Sequence, residues 1–150
     1  MPFADFALAL TRQFGLDSPE GGFAKGCHFQ FDAVEVQVTE VPGEELILLR
    51  SELGALQGAG LEGQLEELLV GNLFTNPSGE GVLGVEPGGA VVMKQRVAIG
   101  HLPTAAAASI VARFAGHAAV WQAQLRTRPG PSRHLSPLDS AAMEVPHERA

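Results

Sequence analysis

Residues 61–74, LEGQLEELLVGNLF, carry apolar side chains around more of a helix than one neighbouring layer can cover. Leu61, Leu65, Leu68, Leu69 and Leu73 stand at offsets of four, seven, eight and twelve, the spacing that gathers side chains on one face of a 3.6-residue period. Val70 and Phe74 fall on roughly the opposite side. The leucine stripe is expected to face the core, and the second side then calls for a further partner.

The rest of the chain supplies one domain around this helix. At 150 residues it is long enough to bury a core without a metal or a disulfide. Cys27 is the single cysteine, so no internal bridge forms, and a reducing compartment is expected. Residues 1–10 lack a basic start and contain Asp5, which argues against a secretory signal, and no apolar run approaches the roughly 20 residues that span a bilayer. Residues 1–86 hold 14 acidic against three basic residues, 87–126 hold four basic and no acidic ones, and 127–150 hold three of each, giving the net −7. Nucleic acid is therefore an unfavourable partner, because its phosphates need a basic surface to displace their counterions.

In chain order, Phe3, Phe6, Ala7, Leu10 and Phe14 predict an amphipathic helix over 2–14, which Gly15 ends. From Phe23 the period falls to two. Cys27, Phe29 and Phe31, then Val34, Val36 and Val38, predict a hairpin about Asp32-Ala33. Leu46-Ile47-Leu48-Leu49 predicts a strand apolar on both faces, and the glycines of 51–60 a flexible joint. Beyond the helix at 61–74 and the turn formers of 75–79, strands are expected at 82–85 and 90–99 about Pro87-Gly88-Gly89. Thr104 is placed to cap a last helix that aligns Ile110, Phe114, Ala118, Trp121 and Leu125. The fold class is α+β, in the order α-β-β-β-α-β-β-α, with a twisted antiparallel sheet and three helices over residues 1–126. The Pro-rich tail of 127–150 is expected to be disordered.

Chemical motifs are weak by comparison. Gly79-Glu80-Gly81-Val82-Leu83-Gly84 matches the dinucleotide-binding pattern, but a helix precedes it and a strand follows, the reverse of what pyrophosphate binding needs. Cys27 with His28, His101, His117 or Glu45 is a conceivable thiol and base, and it supports an alternative reading as a small-molecule-binding or hydrolytic domain. A cysteine in register with Phe29 and Phe31 more often serves as a small buried hydrophobe. His117 reads as a packed histidine between Phe114 and Trp121. No pair of carboxylates stands out as a tuned acid and base, and no cofactor or metal is implied. The surplus of apolar surface is the stronger signal. It points to a contact between copies or a groove for another chain, with a deeper core within one molecule as the alternative.

The run Leu65-Glu66-Glu67-Leu68-Leu69-Val70-Gly71-Asn72-Leu73-Phe74, followed by Gly81 to Gly89 and Val91-Val92-Met93, resembles the class I type III secretion chaperones of the Tir-chaperone (CesT) family. There a helix ending in a pattern like LLxxNLF leads through a Gly-rich turn into an LGxxP strand. The resemblance implies a cytoplasmic homodimer in a Gram-negative bacterium, without ATP or enzymatic activity, that holds the N-terminal region of a secreted effector in extended form. It assigns Leu69, Val70, Leu73, Phe74, Val82 and Leu83 to the dimer contact. It assigns Phe3, Phe6, Phe29, Val34, Val36, Leu46 and Leu48 to the effector. The secretion ATPase or a regulator is a further partner that such a relative can have, and an alternative is a relative of this fold in which binding of a transcriptional regulator replaces that of an effector. The match is tightest over 61–99, and the Pro-rich tail departs from the family pattern.

Overall fold

A computed structural model of the chain describes residues 1–18, 22–23, 25–56, 58, 60–74 and 81–126, with Phe74 described by its backbone alone. The elements are α1 (Phe3–Gln13), β1 (Gly26–Phe31), β2 (Val34–Val41), β3 (Leu46–Ala55), α2 (Leu61–Phe74), β4 (Val82–Val85), β5 (Ala90–Ala98), one 3₁₀ turn (Thr104–Ala106) and α3 (Ala107–Arg126). This is the expected α-β-β-β-α-β-β-α order. The expected turn at 75–79 and the tail at 127–150 lie outside the described residues.

The strands form one antiparallel sheet in the order β1-β2-β3-β5-β4. Helices α1 and α3 lie against one face. Side chains alternate across a strand, so that face collects Phe29, Val36, Val38, Ile47, Leu49, Leu53, Val91 and Met93, all buried against Phe6, Leu10, Val111 and Phe114. The end of α1 is closed as its sequence predicts. Gly15 takes a φ of 67°, and the Leu16 and Gly15 amides donate to Thr11 and Arg12 carbonyls at 2.8 and 3.2 Å. Its last ring, Phe14, meets Phe31 edge-on with centroids 5.3 Å apart.

Three expectations are corrected. Residues 51–55 continue β3 rather than forming a flexible joint, because Ser51 buries its hydroxyl and donates to the Glu35 carbonyl at 2.7 Å. A bulge between Glu52 and Gly54 absorbs the irregularity there, with Gly54 at a φ of 152°. Thr104 makes no side-chain cap. Instead Gln13 of α1 reaches across, donating to the Thr104 carbonyl at 2.7 Å and accepting from the Ala108 amide at 3.0 Å, so the start of α3 is satisfied from another helix.

The third correction concerns α2. Of its five striped leucines only Leu68 is buried, and Leu61, Leu65, Leu69 and Leu73 are exposed. The helix docks instead on its narrow side, through Gly63, Leu68 and Gly71. Gly71 permits this, because any Cβ there would run into the Trp121 ring of α3 and the Leu83 side chain of β4. Gly71→Ala should therefore destabilise the fold by about 1–3 kcal/mol through overpacking. Urea denaturation followed through the single tryptophan measures it, and an unchanged midpoint would show that Trp121 can move aside.

Candidate functional site

With α2 seated on its small side, its outward leucines and Val70, together with Val82 of β4, present exposed apolar surface. Leu69 is 70% exposed, Leu73 74%, Val82 52% and Val70 45%. Leu61 and Leu65 extend the exposed face of α2, while Val85, also exposed, stands on the other face of β4. An isolated subunit gains nothing from leaving such side chains in water, since burying each leucine stabilises by about 1.5–3 kcal/mol. Of the six residues expected at a contact between copies, four thus stand on this surface. Leu83 does not, being 5% exposed beneath α2, and the Phe74 side chain lies outside the described residues.

Asn72 ties the helix to the strand beside it. Its Nδ2 donates to the Leu83 carbonyl at 2.8 Å, and its Oδ1 accepts from the Leu83 amide at 2.6 Å. The position of α2 against β4 is therefore set by hydrogen bonds as well as by packing.

The residues expected to meet an effector separate into two groups. Phe3, Phe6, Phe29, Val34 and Val36 fill this subunit's own core, so they are not available to a guest chain in this conformation. Strand alternation turns Phe29, Val34 and Val36 toward the helices, and the 3.6-residue period of α1 turns Phe3 and Phe6 into the same core. Leu46 and Leu48 alternate the other way and stand half-buried on the opposite face of the sheet.

Sequence reading did not anticipate two features. A groove of about 340 Å³ runs between the β1–β2 turn and α3, walled by Phe31 and Val34 on one side and Ala112, Ala115, Gly116 and Ala119 on the other. Its signal was the run of small residues on α3. The second is a row across the open sheet face, in which His28, Gln37, Arg50, Lys94 and Val82 are register partners from β1 to β4. In this row Arg50 donates to both Glu86 oxygens, at 3.1 and 2.6 Å, and to the Gln37 side chain at 3.3 Å. Lys94 adds a 2.9 Å contact to Glu86. Hydrogen bonds from Arg50 and then Lys94 hold the Glu86 carboxyl down to about 2, and Glu86 in turn raises the pKa of Arg50.

The thiol and base are separated. Cys27 lies on the helix-covered side of β1, and its pKa is pushed up to about 11 by burial. His28, the next residue, points to the other face and pairs with Glu35 at 3.0 Å. The two cannot act as nucleophile and base on one substrate. The pattern at 79–84 begins outside the described residues and ends in β4, a strand rather than a helix start. Among the described residues no group of three or more His, Cys, Asp or Glu side chains is placed to hold a metal.

The fold and this exposed helix-and-strand face define the class, a small α+β binding protein without an assembled catalytic centre among its described residues. The model of the Tir chaperone protein (CesT) family matches residues 8–122, and the chain belongs to that family. No curated protein matches it. Similar solved structures include a chain of the ExsC–ExsE complex, with a TM-score of 0.64, 21% identity and coverage of 83% of this chain and 97% of that one. A chain of the heterodimeric ExoU–SpcU complex from the type III secretion system of Pseudomonas aeruginosa gives a TM-score of 0.61, 19% identity and coverage of 81% and 98%. A chain of the HopA1–SchA chaperone–effector complex gives 0.63, 15%, 82% and 98%. These likenesses establish the shared fold. The family is one of chaperones rather than enzymes, which sets the hydrolytic alternative aside.

Two outcomes follow from the charges and the thiol. The depressed Glu86 carboxyl contributes stability that is present above its ordinary value of 4.5 and is lost as pH falls toward about 2. Glu86→Gln should lower the urea midpoint at neutral pH, with the gap to wild type closing between those two values; a gap independent of pH would contradict the ion-pair assignment. Cys27 should react with iodoacetamide at pH 8 at least about tenfold more slowly than free cysteine, because burial leaves little of it as thiolate and the greater nucleophilicity of a high-pKa thiolate offsets only part of that loss. Rapid labelling would show that β1 opens.

Proposed function

We propose that this chain is a homodimeric, cytoplasmic chaperone of type III secretion, which keeps the N-terminal segment of an effector extended and fit for export. The observation that carries the reading is the apolar face of α2 and β4, left bare by a helix that docks on its glycine side, in a chain of a chaperone family. Leu69, Val70, Leu73 and Val82 are the residues of the paired copy's contact. A patch on one rigid element can meet its own image about a two-fold axis, which gives a closed, isologous dimer. Described relatives include chaperone–effector complexes, which supports the choice of partner. No helix of the described residues is long and apolar enough to cross a membrane, in keeping with a cytoplasmic site of action.

The guest is received elsewhere. Edge strand β1 offers backbone groups for pairing with an extended segment, and the groove beside it offers a place for that segment's side chains, with the half-buried Leu46 and Leu48 of β3 as further apolar positions on the open face. A segment held in this way need not fold while bound. The net charge of −7 keeps a protein with so much apolar surface in solution.

Light scattering at micromolar concentration should return twice the subunit mass of 15.7 kDa for wild type. The doubly substituted Leu69→Glu, Leu73→Glu chain should return one subunit mass with an unchanged far-ultraviolet dichroism spectrum. A monomeric wild type would end the paired-copy reading. Co-expression with the N-terminal segments of candidate effectors should give a stable complex in which the segment's amides stay unprotected outside the paired strand; recovery of folded partners alone would argue against it.

A further inference from the structure

The two edges of the sheet are not equivalent: α2 is docked beside β4, and one of its side chains takes up the backbone groups there. In the β1–β2 hairpin a two-residue turn joins Phe31 to Val34, so the paired hydrogen bonds fall on Phe31, Phe29 and Cys27. The Glu40 amide continues the alternation by donating to the Lys25 carbonyl at 3.0 Å. The N–H and C=O groups of Gly26, His28 and Gln30 therefore point away from the sheet. Among the described residues no hydrogen bond closes them.

At the far end the Glu86 amide donates to the Ala90 carbonyl at 2.8 Å, so Val82 and Gly84 bond toward β5 while Leu83 and Val85 face outward. Here the central residue is closed. Asn72 gives Leu83 one donor and one acceptor, at 2.8 and 2.6 Å, the pair that an added strand would supply. An edge whose middle residue is taken by a side chain cannot extend the ladder past it.

We infer that Asn72 decides which edge of this sheet accepts another strand, closing β4 and leaving β1 for the extended guest. This rests on the chaperone reading for the identity of the guest, but the closure itself does not. With both edges open, β1 of one molecule could pair with β4 of the next. Such a head-to-tail contact has no two-fold axis and does not close, so it would build open-ended chains. The same side chain thus confines contact through the α2 and β4 face to apolar side chains, and the copy and the guest meet different ends of the sheet.

The test has two parts, both read against wild type whether its mass proves to be one copy or two. In the wild-type protein the Leu83 amide should exchange with deuterium at least tenfold more slowly than those of His28 and Gln30. Equal rates overturn the assignment, and this measurement needs no variant to fold. Asn72→Ala should gain mass in light scattering as its concentration rises, without reaching a plateau. Adding His28→Pro should restore the wild-type mass, because proline removes an outward-facing donor of β1 without costing a bond to β2. A single variant that keeps the wild-type mass throughout overturns the inference, as does growth that persists in the double variant. A monomeric wild type, by contrast, would end the paired-copy reading and leave this test standing.

Discussion

Gly71 has no side chain, and so the Trp121 ring and Leu83 can close against the backbone of α2 while Asn72, the next residue, reaches the edge of β4. That close approach fixes the rotation of the helix about its own axis. Once it is fixed, Leu61, Leu65, Leu69 and Leu73 have nowhere to point but outward. The exposed apolar face is a consequence of how the helix is seated, and it exists because the glycine face is the one that fits.

The sheet carries this asymmetry across the molecule. Its helix-covered face is a conventional core, with Val36, Val38, Ile47 and Leu49 under Phe6 and Phe114. Its open face is crossed by a polar row in which Glu86 is held by both Arg50 and Lys94. Burial of Val92 beside this row and half-burial of Leu46 and Leu48 keep the open face from being merely solvated. On the function proposed above, contacts with a copy and with a guest draw on different parts of one scaffold: the α2 and β4 end for the first, the β1 end and its neighbouring groove for the second.

Strand periodicity was legible at single-residue precision where one face is polar. The alternation of 27–31 and 34–38 named the inward side chains, and Asp32-Ala33 named the turn, because a one-residue slip would have put every valine in water. Serving as inward side chains is also why Phe29, Val34 and Val36 are core. Periodicity says which residues share a face without saying what covers it. The end of β3 was illegible for another reason. Its glycines look like a joint, whereas a buried Ser51 hydroxyl and a bulge keep the strand paired. The helix cap supplied by Gln13 was out of reach as well, since its partner at Ala108 is 95 residues away.

The sequence by itself determined the order of elements, the strand faces and the presence of more apolar surface on residues 61–74 than one molecule could cover. All of these follow from local spacing and turn chemistry. Only the tertiary structure decided which side of that helix turned inward. Five leucines outweigh two glycines in any count of hydrophobicity, but a helix seats where its backbone can come closest, and the Trp121 ring left room only for Gly71.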